Sequence, residues 1–249
     1  MPLNISGSII DSSIVKRFPE NKIPLRGLVF KINASIPESY TGSGTSVFDL
    51  SRNNINGTLT NGASYSSSNG GVFTFNDNLS QYINIPDSTY LNPGTGSFSM
   101  VAWVNLDPSI GGDFTWDLFI SKRSGGSNGY YVGINNPSGV KFMLGNTANA
   151  RTDTPYVSYT YNTWTMFTAI LNVDTNTQTI IKNNNVELQS ITPTGGTYSN
   201  TNALSIGGDI GINAYYVNGK IGNVLMYNRA LSTSEINTIY NIQKSRFGL

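Results

Sequence analysis

The run Phe98 to Leu106 (FSMVAWVNL) sets the first limit on what this chain can fold into. It sets apolar and small residues around Trp103, carries no charge, and stops at Asp107-Pro108. A short apolar run closed by a turn signal reads as a core strand. Similar runs recur along the chain. Trp116 to Ser121, Tyr130 to Ile134 and Val140 to Leu144 read as successive strands, the last two joined by the turn Asn135-Asn136-Pro137-Ser138-Gly139. Trp164 to Val173 and Thr177 to Lys182 read as a hairpin around Asp174-Thr175-Asn176. Asn183 to Asn185 then turn into Val186 to Ile191, since Asn tolerates the positive φ of a tight turn. Phe73 and Phe75 share one face, and beyond the polar tip Asn76 to Ser80 the residues Tyr82, Ile83 and Ile85 read as the partner strand.

Composition supports strands over helices. Ser, Thr, Asn and Gly are abundant and only 12% of residues are charged. Ser and Asn compete for helical hydrogen bonds, and Gly costs entropy in a helix. One short helix is expected after Ser232-Thr-Ser-Glu235, a capping box followed by Ile236, Ile239 and Tyr240 at helical spacing. Its single apolar stripe would lie on a sheet edge, with Ser245 to Leu249 beyond it.

The order of these segments resembles the laminin-G-like, concanavalin A-type jelly roll. Gly27 to Asn33 (GLVFKIN) stands for that family's opening "GLV" strand, and Phe48 to Thr58 (FDLSRNNINGT) for its "DLSGNGNNGT" turn. Gly70 to Ile85 (GGVFTFNDNLSQYINI) stands for "GGSFxFDGxxDYI", and Phe98 to Leu106 for "FSxxAWV". Gly129 to Val132, Trp164 to Asn172, Ala203 to Gly208 and Asn218 to Leu231 (NGKIGNVLMYNRAL) continue the match, which covers nearly all of residues 27–243. The closest echoes are of versions in virion proteins of tailed phages.

The resemblance implies an all-β, two-sheet antiparallel jelly-roll sandwich of the concanavalin A-like kind with one short C-terminal helix. Residues 27–249 would form that domain, with Trp103, Trp164, Phe75, Leu204, Ile206 and Val224 in one inter-sheet core. Residues 1–26 would be an N-terminal arm whose Ile9, Ile10, Ile14 and Val15 pair with a neighbouring subunit or another virion protein. The function implied is that of a non-enzymatic structural virion protein of a tailed phage, a capsid decoration (cement) or tail-associated component. The alternative is a carbohydrate-binding or host-adhesion module.

Several chemistries have little support. The chain has neither histidine nor cysteine, which removes the commonest general base, thiol nucleophiles and the usual zinc ligands. Net charge is +1 with no run of cations, so neither nucleic acid nor a membrane surface is an expected partner. MPLNISGSIIDSSIV lacks a basic and then a continuous apolar region, so no signal peptide is read and synthesis in a host cytoplasm, followed by residence in the virion, is expected. Glycosidases on this fold place two carboxyl groups about 5 Å apart through a Glu-x-Asp-x-x-Glu strand. Here Glu20, Glu38, Glu187 and Glu235 are far apart in sequence, and Asp113 and Asp117 read as members of a loop.

Two sites remain open. The family's calcium turn corresponds to Asp49, Ser51, Asn53 and Asn56, but Arg52, Ile55 and Gln81 depart from its pattern and weaken charge compensation for a divalent ion. The same residues could instead satisfy turn backbone groups. Any structural calcium would lie there; no other cofactor is expected. Tyr156, Tyr159, Tyr161, Tyr215 and Tyr216 could stack on a surface glycan, or pack across strands as tyrosines in β proteins do.

Overall fold

A computed structural model of the chain describes residues 22–108, 116–136, 138–184 and 187–249. The arm residues before 22, Asp113, and the turn residues Pro137, Asn185 and Val186 lie outside the described residues. The first strands are β1 Leu28–Asn33, β2 Ser46–Val47, β3 Gly57–Thr60, β4 Ser64–Ser66, β5 Val72–Phe75, β6 Tyr82–Ile85, β7 Phe98–Leu106 and β8 Trp116–Arg123. They continue as β9 Gly129–Asn135, β10 Gly139–Gly145, β11 Arg151–Asp153, β12 Thr165–Asn172, β13 Thr177–Lys182, β14 Glu187–Ile191, β15 Leu204–Ile206 and β16 Gly219–Tyr227. Helix α1, Thr233–Gln243, follows.

The strands form two antiparallel sheets. One runs β14-β13-β12-β7-β16-β5-β4, and the other β11-β10-β9-β8-β15-β6-β3-β2. In the first sheet, the outer edge of β16 is shared. Its Gly219–Ile221 end pairs with β5, and β1 pairs with residues 223–227 beyond a bulge. The expected sandwich is therefore the observed one. The main core lies between the sheets and holds Phe75, Leu204, Ile206 and Val224 with Phe30, Ile83, Phe98, Tyr130, Phe142 and Phe167.

Two expectations are corrected. β5 and β6 are not a hairpin, because they lie in opposite sheets and bury Phe73 and Phe75 against the same interior as Ile83 and Ile85. The chain turns the corner between them through Asn76, whose side chain accepts from Asn78 N at 3.0 Å, and Ser80 in the left-handed region at φ 51. Gln81 closes the corner by accepting from Asn76 N at 2.9 Å.

The second correction concerns Trp103 and Trp164. Both lie on the outer face of the first sheet, in a separate cluster with Val101, Met166, Leu225, Ile236 and Ile239. β7 is buried on both faces, which is why its sequence reads as almost continuously apolar. Helix α1 lies over the middle of that face and not along an edge. Trp103 stacks on Tyr240 (5.7 Å between ring centroids) and on Phe247 (4.4 Å), and its indole N–H donates to Gln243 Oε1 at 2.8 Å. Phe247 also packs against Trp164 at 4.4 Å.

The helix begins as its sequence predicts. Ser232 Oγ accepts from Glu235 N, Glu235 Oε2 accepts from Ser232 N at 2.9 Å, and Arg229 grips both Glu235 oxygens. The residues beyond α1 form a 3₁₀ turn that belongs to the fold. Arg246, buried, donates to Asn69 O and Gly71 O and to Asn33 Oδ1. Gly222, in the β16 bulge, leaves the space Phe247 needs, since a Cβ there would stand 2.5 Å from the ring. Ile23, assigned to the arm from sequence, is buried in the same cluster, and Arg229 bonds Arg26 O at 2.8 Å. Ile23 and the Arg26 carbonyl thus make contact with the domain.

Candidate functional site

The turn after β2 gathers Asp49, Ser51, Asn53 and Asn56, but around Asp49 itself. The buried Asp49 carboxylate accepts through Oδ1 from Lys31 N (2.9 Å) and Ser51 N (2.8 Å), and through Oδ2 from Ser51 Oγ (2.7 Å) and Ile55 N (3.0 Å). Asn56 Oδ1 accepts from Asp49 N, and Asn53 donates to Val29 O. The oxygens a calcium ion would need are engaged by protein donors, so these residues do not fit a hard-cation site. Among the described residues no group of three or more acidic side chains is placed to hold a metal. EDTA should leave the melting temperature unchanged. Asp49→Ala should destabilise the domain by about 1–3 kcal/mol for each buried donor it orphans, equally with and without calcium, as read by thermal melts.

The five tyrosines are not one platform. Tyr159 packs on the main core, bonds Leu106 N at 2.7 Å, and meets Tyr161 edge-on at 5.6 Å. Burial and then the nearby Asp117 push the Tyr161 hydroxyl up to about 12. Asp117 itself is buried on β8, so it stands on a strand and not in a loop. Tyr156 lies under Lys141, whose Nζ is 4.1 Å from the ring centre. Tyr216 is buried beside Tyr82.

Only Tyr215 joins a wider surface constellation, on the outer face of the second sheet. Strand alternation sends Tyr130, Val132 and Ile134 of β9 into the main core and Tyr131 the other way. There Tyr131 meets Leu118 and Met143, with Trp116 and Tyr215 packed against them. Register places Ser121, Tyr131, Met143 and Asp153 side by side across four strands. Arg123 and Arg151 fall two residues further along their strands on the same face. Together Trp116, Leu118, Arg123, Tyr131, Met143, Arg151 and Tyr215 enclose a pocket of about 40 Å³.

The pocket's electrostatics are unusual for a sheet surface. Arg123 Nε lies 2.8 Å from Asp209 Oδ2, and both side chains are almost wholly buried. Burial raises the Asp209 pKa against the opposing pull of Arg123 and the backbone N–H of Gly211. A buried ion pair bears a desolvation cost on each partner, so it is a poor device for stability alone. Arg151 forks onto both oxygens of Asp153 at 2.5 Å. The two guanidinium carbons stand 5.0 and 5.7 Å from the centre of the Tyr131 ring. Tyr215 holds the rim at φ 59, a conformation that is strained for a bulky side chain, while its carbonyl accepts from Leu118 N at 3.0 Å.

Sequence reasoning marked Tyr215 but not Trp116, Arg123, Tyr131 and Arg151 as its companions. The available signal was the adjacent pair Tyr130-Tyr131, since neighbouring residues on a strand face opposite ways and one of the two must leave the core.

Two antiparallel sheets, one outer face roofed by a helix and the other carrying a small polar-aromatic pocket, define a jelly-roll scaffold of the concanavalin A type. The chain belongs to the concanavalin A-like lectin/glucanase superfamily, whose sequence model matches residues 76–237. No curated protein matches the chain in sequence. Among solved structures it is similar to the binding domain of Paraclostridial Mosquitocidal Protein 1, at 16% identity over 86% of this chain and 52% of that one, with a TM-score of 0.65. It is similar also to the binding domain of botulinum neurotoxin DC in complex with SialylT (14% identity, 86% and 51%, TM-score 0.65). A third likeness is to the receptor-binding domain of botulinum neurotoxin type G (15%, 87% and 51%, TM-score 0.65). The chain spans about half the length of these structures, and the likeness is one of fold. Among the described residues no helix is long and apolar enough to cross a membrane.

Proposed function

We propose that this chain is a non-enzymatic recognition module that binds a surface glycan on the outer face of its second sheet. The observation that carries the reading is Trp116 and Tyr215 lining a pocket together with the buried Arg123 and Tyr131 and the more exposed Arg151. Aromatic faces take the apolar side of a sugar ring, while fixed polar groups take its oxygens. The similar solved structures support it, because they are binding domains and one is described in complex with SialylT. The buried Asp209 is committed to Arg123 and does not serve as half of a catalytic carboxylate pair. A glycan array probed with the full chain should give a discrete set of binders. Trp116→Ala and Tyr215→Ala should each weaken them about tenfold, consistent with loss of one stacking contact. An array without binders sinks the reading.

A second reading, a structural component of a tailed-phage virion, is favoured by one observation. β14 ends the first sheet as an edge strand with Leu188 and Ile191 exposed, and an unprotected apolar edge is a template for strand addition. Residues 1–21 of a neighbouring subunit are the proposed strand. Removing them should leave the melting temperature unchanged and abolish incorporation into particles. Normal incorporation would reduce the segment to a leader.

A further inference from the structure

The pocket on the second sheet has a chemical bias that neither the fold nor the aromatic rim explains. At its wall stands Tyr131, 1% exposed, whose hydroxyl proton meets no acceptor among the described residues. Its near neighbours Arg123 and Arg151 approach the phenol oxygen as donors and offer the proton nothing to bond. A buried donor left without an acceptor is a cost proteins rarely carry without reason. Burial raises the pKa of this phenol in spite of the two cations, so it remains a donor at neutral pH.

The guanidinium groups add to the surplus of donors. Arg123 meets Asp209 at Nε and otherwise approaches the Tyr131 phenol, which leaves it N–H groups to spare. Arg151 gives Nε and one terminal nitrogen to Asp153 and approaches Tyr131 as well. Among the described residues, Lys141, 4.0 Å from Asp153, brings the charges of this face to three cations against two carboxylates. Those residues are therefore short of one negative charge and of acceptor oxygens at the same place. The pocket's volume, about 40 Å³, accommodates a small planar group and excludes a sugar ring. The strained Tyr215 and Trp116 stand at its mouth, where a ring attached to that group would lie.

The geometry points to a carboxylate-binding pocket. We infer that the pocket receives the carboxylate of an acidic sugar, with Tyr131 and the terminal nitrogens of Arg123 and Arg151 donating to it while the ring rests against Trp116 and Tyr215. This inference rests on the glycan-binding reading of the same face and names the class of glycan. An ionised acceptor strengthens each of these hydrogen bonds, and the planar fork of arginine suits the two oxygens of a carboxylate.

The test is titration of the full chain, by calorimetry or ligand-observed NMR, with methyl glucuronide, methyl glucoside and acetate. The variants are Tyr131→Phe, which removes only the hydroxyl, and Arg151→Gln, at the more exposed of the two arginines. Their melts are recorded alongside, so that a folding defect is seen as such. The glucuronide should bind at least tenfold more tightly than the glucoside, and each variant should erase most of that preference. Rising salt should narrow the preference. Equal binding of both glycosides, or a preference untouched by both variants, overturns the inference while glycan binding stands. Binding of acetate that depends on Tyr131, with neither glycoside bound, upholds the carboxylate pocket and overturns the glycan reading. No binding by any of the three overturns both.

Discussion

Replacing Trp103 with alanine is expected to cost about 3–5 kcal/mol, the range for truncating a fully buried large aromatic side chain. For a chain of this size that corresponds to a fall in melting temperature of roughly 6–20 °C. The loss falls on the outer face of the first sheet. Trp103 is the floor on which Tyr240 and Phe247 stack, and its indole N–H is tied to Gln243. Helix α1 should therefore loosen before the sandwich does, and hydrogen exchange should accelerate first in residues 233–247. Uniform acceleration through β9 and β10 would place Trp103 in the main core after all.

Removing residues 245–249 should be comparably damaging. The deletion takes Phe247 from between Trp103 and Trp164, and it takes the buried Arg246 from three acceptors at Asn69, Gly71 and Asn33. An aromatic truncation of about 3–5 kcal/mol is compounded by buried acceptors left without donors. Denaturant melts of the shortened chain should show a midpoint well below that of the full chain. A midpoint within error of the full chain would show that the tail is dispensable. Phe247→Leu, which retains bulk and keeps Arg246 in place, should recover more than half of the difference.

The two tryptophans illustrate how far the sequence reaches. The jelly roll was legible because FSMVAWVNL, GLVFKIN and NGKIGNVLMYNRAL each state a strand locally, and their order states the fold. Local pattern also placed the helix start, since a capping box is complete within four residues. Which face of β7 carries Trp103 was not legible in the same way. A strand buried on both sides shows no period of two to distinguish its faces. The neighbouring strands β5 and β6 were paired in error for a related reason. Two apolar segments joined by a short polar tip look like a hairpin whether they share a sheet or face each other across the interior.

The candidate pocket was less visible still. Trp116, Arg123, Tyr131, Arg151 and Tyr215 come from two adjacent strands, a third at the sheet edge, and a turn, and they meet only through register. None of them is part of a local motif. Asp49 shows the opposite case, in which a local motif is legible but its carboxylate oxygens are spent on the backbone around them.

The helix and the residues after it have a consequence for the order in which the molecule is made. Trp103 and its partner Gln243 are 140 residues apart, and Asn69 and Arg246 are 177 apart. While the chain is being synthesised, β7 and β12 emerge long before anything can roof their outer side. Trp103, Met166 and Ile170 then face water together, and Leu225 joins them when β16 arrives. That patch closes only after residue 247 has left the ribosome. The nascent chain thus passes through a stage in which the interior of the sandwich can form while its back is bare and adhesive, the stage at which chaperones and aggregation compete for such domains.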